Sequence, residues 1–180
     1  HADGFVDIAR YGTVREGHVP IHLCAMRKIV AGNWKMHKDQ RTVSALVSEL
    51  MDVVIPEGVE VIIAPPFPFL AAAVQQLGDA RIVVAAQNCH QKEQGAFTGE
   101  VSASMLKSIG VQACIVGHSE RRQYFGETDA AVAEKLVALL AQGITPIYCC
   151  GELKEEREAG DHFEVVARQM KAALAGLTME

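Results

Sequence analysis

Short, continuously apolar runs alternate with segments of helical period along most of this chain, and that alternation limits the folds open to it. The apolar runs are 28–31 (KIVA), 59–64 (VEVIIA), 81–86 (RIVVAA), 113–117 (ACIVG) and 145–149 (TPIYC). Across 42–54, Val43, Leu46, Val47, Leu50 and Val54 recur at i, i+3, i+4, i+7 and i+11, which is one face of a helix. Helices are also expected over 69–77 and 102–109. Thr128 can cap a helix carrying Val132, Leu136, Leu139 and Leu140, with Gly143 stopping it. A last helix covers about 161–174, with Val166, Met170 and Ala173 on one face. Apolar runs without polar alternation are strands buried on both faces, as in a parallel sheet covered by helices. Repeated right-handed βα units leave an open doubly wound sheet or a closed barrel, and periodicity does not choose between them. In both, ligands gather at the carboxyl ends of the strands.

The 180 residues suit one domain or a piece of a larger one, and 49% hydrophobic residues are enough for a core. The formal net charge is -5 and no long Lys/Arg run occurs, so the basic face of a nucleic-acid binder is absent. An anionic ligand must therefore be held by a local site. Cysteines stand at 24, 89, 114, 149 and 150, an odd count without C-x-x-C. That is neither a disulfide framework nor a zinc pattern; free thiols in a reducing cytoplasm are the expectation. No apolar run reaches the roughly 18 residues of a membrane-spanning helix. Residues 1–25 mix charges throughout and lack the apolar centre of a signal peptide. They are read as an extension of unknown role, with Met26 a plausible start and 26–180 the domain.

The strand ends carry the candidate chemistry. After the first strand, Asn33 and Lys35 stand two apart in GNWKM, so on an extended segment they project to one side. The lysine either meets an anion there or is solvated. After the third strand, Gly95 and Gly99 flank Phe97 and Thr98 in a loop that is a surface turn or a partner contact. After the fourth, His118 stands beside a helix N-terminus, where the dipole and free N–H groups disfavour an imidazolium. A neutral ring there can donate an N–H to a carbonyl oxygen gaining charge; a hydrogen-bonded structural histidine is the other reading. Glu152, after the fifth strand, is a surface carboxylate or the partner of a basic loop residue, and the run KEEREAGD reads as a solvated helix start. Neither GxGxxG nor GxxxxGK[ST] occurs.

AGNWKM, GAFTGE, VGHSERR, YFGETD and CCGE, in this order and at about these spacings, resemble the triosephosphate isomerase family over about 26–180. The resemblance implies a (β/α)8 barrel, of which about five βα units lie in these residues. It implies that the family interconverts dihydroxyacetone phosphate and D-glyceraldehyde 3-phosphate through an enediol(ate), in glycolysis and gluconeogenesis, with no metal or organic cofactor. By motif, Asn33 and Lys35 match substrate contacts, Lys35 balancing phosphate and oxyanion charge. His118 matches the electrophile that polarises the carbonyl. Glu120 matches a buried carboxylate that pairs with and orients the lysine, and Ser119 a supporting residue. The loop from Gly95 to Glu100, with Phe97 and Thr98, matches the one that inserts into a partner subunit, and Met36 lies where that loop docks. A cytoplasmic homodimer is implied. Cys149 matches a buried cysteine near the catalytic base. The mechanism, a neutral histidine electrophile working with a glutamate base under a closing lid, is taken from the family and not worked out from these residues.

In the family a sixth strand, the glutamate base, the lid and later phosphate-binding loops follow the segment that matches Leu174. Without them, strands one and five would keep unpaired edges and uncovered apolar faces. The alternative expectation is a catalytically inert fragment acting at most as an interaction module.

Overall fold

The computed structural model describes residues 28–175 and 177, so the 1–25 extension and Met26 lie outside the described residues. Five strands follow one another: β1 (Lys28–Asn33), β2 (Val59–Ala64), β3 (Ile82–Ala86), β4 (Ala113–Val116) and β5 (Thr145–Tyr148). The helices are α1 (Gln40–Met51), α2 (Leu70–Leu77), α3 (Ala103–Ser108), α4 (Ser119–Phe125), α5 (Asp129–Ala141), α6 (Lys154–Ala159) and α7 (His162–Leu174). The strands pair in sequence order, β1-β2-β3-β4-β5, and every pairing is parallel. That is the pairing of consecutive barrel units, and it excludes the order reversal of a doubly wound sheet. The described residues form part of a (β/α)8 barrel.

Burial on both faces is visible in two apolar clusters. Ile63, Val84, Ala86, Cys114 and Val116 pack outward with Val43, Val47, Leu70, Leu106, Leu136 and Leu139 of the helices. The alternate strand residues, Ile62, Ala64, Ala85, Ala113 and Ile115, form a second cluster with Ala31, Val83, Ile147 and Cys149. Among the described residues β1 and β5 each have one strand neighbour. On β1 the cost shows directly: Ile29 is 51% and Val30 60% exposed.

Local chemistry sets the helix ends. Asp39 and Thr42 cap α1 reciprocally: the Asp39 carboxylate accepts the Thr42 N–H at 2.8 Å, and Thr42 Oγ1 accepts the Asp39 N–H at 2.9 Å. Thr128 caps α5 by accepting the Ala131 N–H, and Gly143 follows that helix with φ +64. One expectation changes. Helix α1 stops at Met51, short of Val54, because the chain must leave the helical region before Pro56. The charged run after Glu152 does start a largely exposed helix, α6, which Gly160 closes at φ +89 before α7 begins.

Candidate active site at the carboxyl ends of the strands

Asn33 is the last residue of β1, and the chain turns immediately after it. The Lys35 N–H donates to Asn33 Oδ1 at 3.0 Å, and Lys35 has φ +52. The expected extended segment is therefore absent: a short polar side chain captures the backbone two residues on, an arrangement that competes with continuing the strand. A left-handed lysine costs roughly 1–2 kcal/mol and needs support from outside the turn. Gln87, just beyond β3, supplies it: its Nε2 donates to the carbonyls of Lys35 at 2.9 Å and Ala64 at 2.7 Å. Strain held in place at a strand end points to a functional position.

His118 is the N-cap of α4, and its Nδ1 accepts the Glu120 N–H at 3.2 Å. An accepting Nδ1 carries no proton, so the ring proton sits on Nε2, which is left to donate. Glu120 Oε2 also lies 3.6 Å from Nδ1. We read that contact as proximity and not an ion pair, because the backbone N–H already occupies the Nδ1 lone pair. The other carboxylate oxygen, Oε1, pairs with Lys35 Nζ at 2.8 Å. One residue, Glu120, thus joins the lysine from the end of β1 to the histidine from the end of β4. The expected pairing is present, but the expected burial is not. The Glu120 side chain is 41% exposed, since it reaches past the packed strand ends to meet a lysine that is itself partly exposed. A pair so exposed contributes about 0–1 kcal/mol to stability; its use is geometric. Ser119, the first residue of α4, is exposed.

Behind His118 lies a buried polar cluster that the motif reading did not single out. Glu127 is the buried anion: Oε2 accepts the Gly117 N–H at 3.0 Å, and Oε1 takes Arg121 Nε at 3.2 Å and Lys135 Nζ. Lys135 also donates to Asn88 Oδ1 at 2.9 Å. Burial alone would favour the neutral acid, but Lys135 and Arg121 more than offset it and hold the Glu127 carboxyl below the usual range. Arg122 donates to the Gly117 carbonyl at 2.8 Å and pairs with Asp129. One signal was available in the sequence. Lys135 falls at i+3 between Val132 and Leu136 on the buried stripe of α5, where an unpaired charge does not stay.

The remaining expected residues lie apart from this centre. Met36 is 94% exposed, and Phe97 and Thr98 sit on the exposed 95–100 loop. Phe97 stacks on His90 with ring centroids 4.3 Å apart, and Gly95, at φ +147, lets the chain pass: a Cβ there would stand 2.7 Å from the Phe97 ring. Cys149 is half-buried, not fully buried, because it follows the end of β5, the outermost strand described. Burial still pushes its thiol up to about 11. Glu152 accepts from Arg157 Nε at 2.6 Å, so it partners a basic residue of α6. Among the described residues, no group of three or more His, Cys, Asp or Glu side chains is arranged to hold a metal ion, and no helix is long and apolar enough to cross a membrane.

The family model of triosephosphate isomerase matches residues 28–180. Among curated proteins, the triosephosphate isomerase of Porphyromonas gingivalis is 52% identical over 152 residues, covering 83% of this chain and 61% of its own length. That of Aquifex aeolicus is 46% identical over 153 residues, 84% of this chain and 62% of its own. That of Cytophaga hutchinsonii is 45% identical over 157 residues, 86% and 62% respectively. The chain thus spans about 62% of the length of these relatives. Five consecutive parallel βα units and a match running from β1 to residue 180 lead to one assignment: this chain belongs to the triosephosphate isomerase family.

Proposed function

We propose that this chain supplies the charge-stabilising half of a triosephosphate isomerase, which interconverts dihydroxyacetone phosphate and D-glyceraldehyde 3-phosphate. The observation that carries the reading is the linkage Lys35–Glu120–His118, with the lysine at 2.8 Å and the histidine Nδ1 engaged at 3.2 Å. Moving a proton between adjacent carbons leaves negative charge on an oxygen. Preorganised donors aimed at that oxygen lower the barrier without reorganising during the step. His118 Nε2–H is the donor, and Lys35 is the compensating cation for the oxyanion and the phosphate. Asn33 holds the turn from which Lys35 departs and contacts the substrate; Glu120 orients the lysine. The proton itself is taken by the glutamate that the family carries after its sixth strand.

The working form in this reading is a homodimer in the cytoplasm, the compartment where unpaired thiols persist. The 95–100 loop with Phe97 and Thr98 docks against Met36 of a second copy. An open hollow of about 640 Å3 lined by Trp34, His37, Lys38, Asp39 and Thr42 supports such a docking place next to Met36. The test is a coupled isomerase assay on the protein from its complete reading frame. Replacing His118 by Gln should lower kcat by about 10²–10³, as for loss of one oxyanion donor. Turnover in the parent no higher than in the His118→Gln variant would refute the reading and favour an inert interaction module.

A further inference from the structure

Gly117 separates the end of β4 from His118, and both polar atoms of its backbone are held by charged side chains. Glu127 Oε2 accepts its N–H at 3.0 Å, and Arg122 Nε donates to its carbonyl at 2.8 Å. The N–H belongs to the peptide before Gly117 and the carbonyl to the peptide after it. The two side chains therefore grip the two planes whose relative rotation is the φ and ψ of one residue. That residue is a glycine at φ +75, the most permissive type of residue, placed directly ahead of the histidine.

The grips are themselves anchored on α4, α5 and the segments beyond β3 and β5. Glu127 is tied to Lys135 of α5 and Arg121 of α4, and Lys135 reaches Asn88 beyond β3. Arg122 reaches Asp129 at the start of α5 and the Cys149 carbonyl at 3.5 Å, beyond β5. A buried ion cluster alone is weak evidence for stability, since desolvation offsets much of its attraction. Lys135 and Arg121 could neutralise Glu127 without any bond to Gly117. The bond to the backbone is what a purely charge-balancing cluster does not need.

We propose that Glu127 and Arg122 are positioning residues for His118, fixing the peptide planes on either side of Gly117 and hence the direction in which the imidazole leaves the strand. The proposal rests on the isomerase reading for what His118 does, but its geometry can be tested without turnover. The parent protein, from its complete reading frame, is labelled with 15N-histidine, and the His118 ring signals are assigned by their loss in His118→Gln. Glu127→Gln, Arg122→Lys and Leu139→Ala are then compared. Gln at 127 has one oxygen to share between the Gly117 N–H and two cations, and its amide must face one of them. Lysine at 122 cannot span the Gly117 carbonyl, Asp129 and the Cys149 carbonyl together. Leu139 is fully buried on α5 and outside the cluster, so its variant reports stability loss alone.

The expected result is that both cluster variants move or broaden the His118 ring signals. They should also lower kcat about 100-fold, the effect of a displacement of about 1 Å, with KM within about threefold of the parent. Leu139→Ala should lose comparable thermal stability, with the His118 signals unmoved. His118 signals superposing on the parent in both cluster variants, with Tm lowered as in Leu139→Ala, overturn the proposal. If Glu127→Gln fails to fold, Arg122→Lys decides. A parent without turnover sinks the isomerase reading, and the ring signals still decide the positioning claim.

Discussion

Replacing Gly117 by Ala should be much more damaging than replacing Gly126 by Ala, although both glycines are left-handed. Gly126 closes α4 at φ +64, and a Cβ there meets nothing within 4 Å. Its replacement bears only the left-handed penalty, roughly 1–2 kcal/mol. Gly117 has φ +75, and its Cβ would lie 2.8 Å from the Cys149 carbonyl oxygen, 3.1 Å from Arg122 and 3.4 Å from the Tyr148 ring. The guanidinium can withdraw, but only by weakening its bond to the Gly117 carbonyl. The carbonyl is backbone beyond β5 and moves only with that strand, so overpacking adds about 1–3 kcal/mol. The sum is about 2–5 kcal/mol for Gly117→Ala. With a urea slope of about 2 kcal/mol/M, the unfolding midpoint should fall by about 0.5–1 M for Gly126→Ala and about 1–2.5 M for Gly117→Ala. Urea titrations followed by circular dichroism and by Trp34 fluorescence measure both. Equal midpoint drops, with the two probes coinciding, would show that the β4–β5 approach does not constrain Gly117.

Other consequences can be checked in the same protein. Leu139→Ala should cost about 2–5 kcal/mol by leaving a cavity at a fully buried position, and Thr128→Ala about 1 kcal/mol by removing the cap of α5; urea midpoints test both. Because the Glu127 carboxyl is held below its ordinary value of 4.5, the unfolded chain binds its proton more readily than the folded one. Its contribution is present in full above that value and disappears as pH falls through the lower, folded-state value. Stability against pH should therefore drop more steeply on the acid side in the parent than in Glu127→Gln. The Cys149 thiol, pushed up to about 11 from 9.0, should be alkylated by iodoacetamide about 100-fold more slowly at pH 8 than an ordinary thiol, with the rate still rising at pH 10. Peptide mass spectrometry of timed samples measures this, and a plateau near pH 9 would contradict the burial argument.

The strands, most helices and the strand ends were legible because they depend on neighbours along the chain. Apolar runs without alternation need cover on both sides, and the structure covers them with two clusters. Thr128 and Gly143 act within one turn of themselves, so their cap and stop roles could be read directly. The motif residues His118 and Lys35 could be placed at the ends of β4 and β1 for the same reason. Which side chains meet across the sheet depends on register, and register is a property of the assembled strands. The pairing of Ala113 with Thr145 and of Val116 with Tyr148 brings the end of β5 against Gly117. No local pattern announces that approach. Nor does any local pattern show that Asn33 turns the chain onto Lys35, that Gln87 supports that turn from two strands away, or that Glu127 gathers Gly117, Arg121 and Lys135 around one carboxylate. The sequence by itself determined where the chemistry could stand, because strand ends follow from local pattern. Only the tertiary structure decided how it is held, because charges far apart in the chain find partners only once the sheet has brought them together.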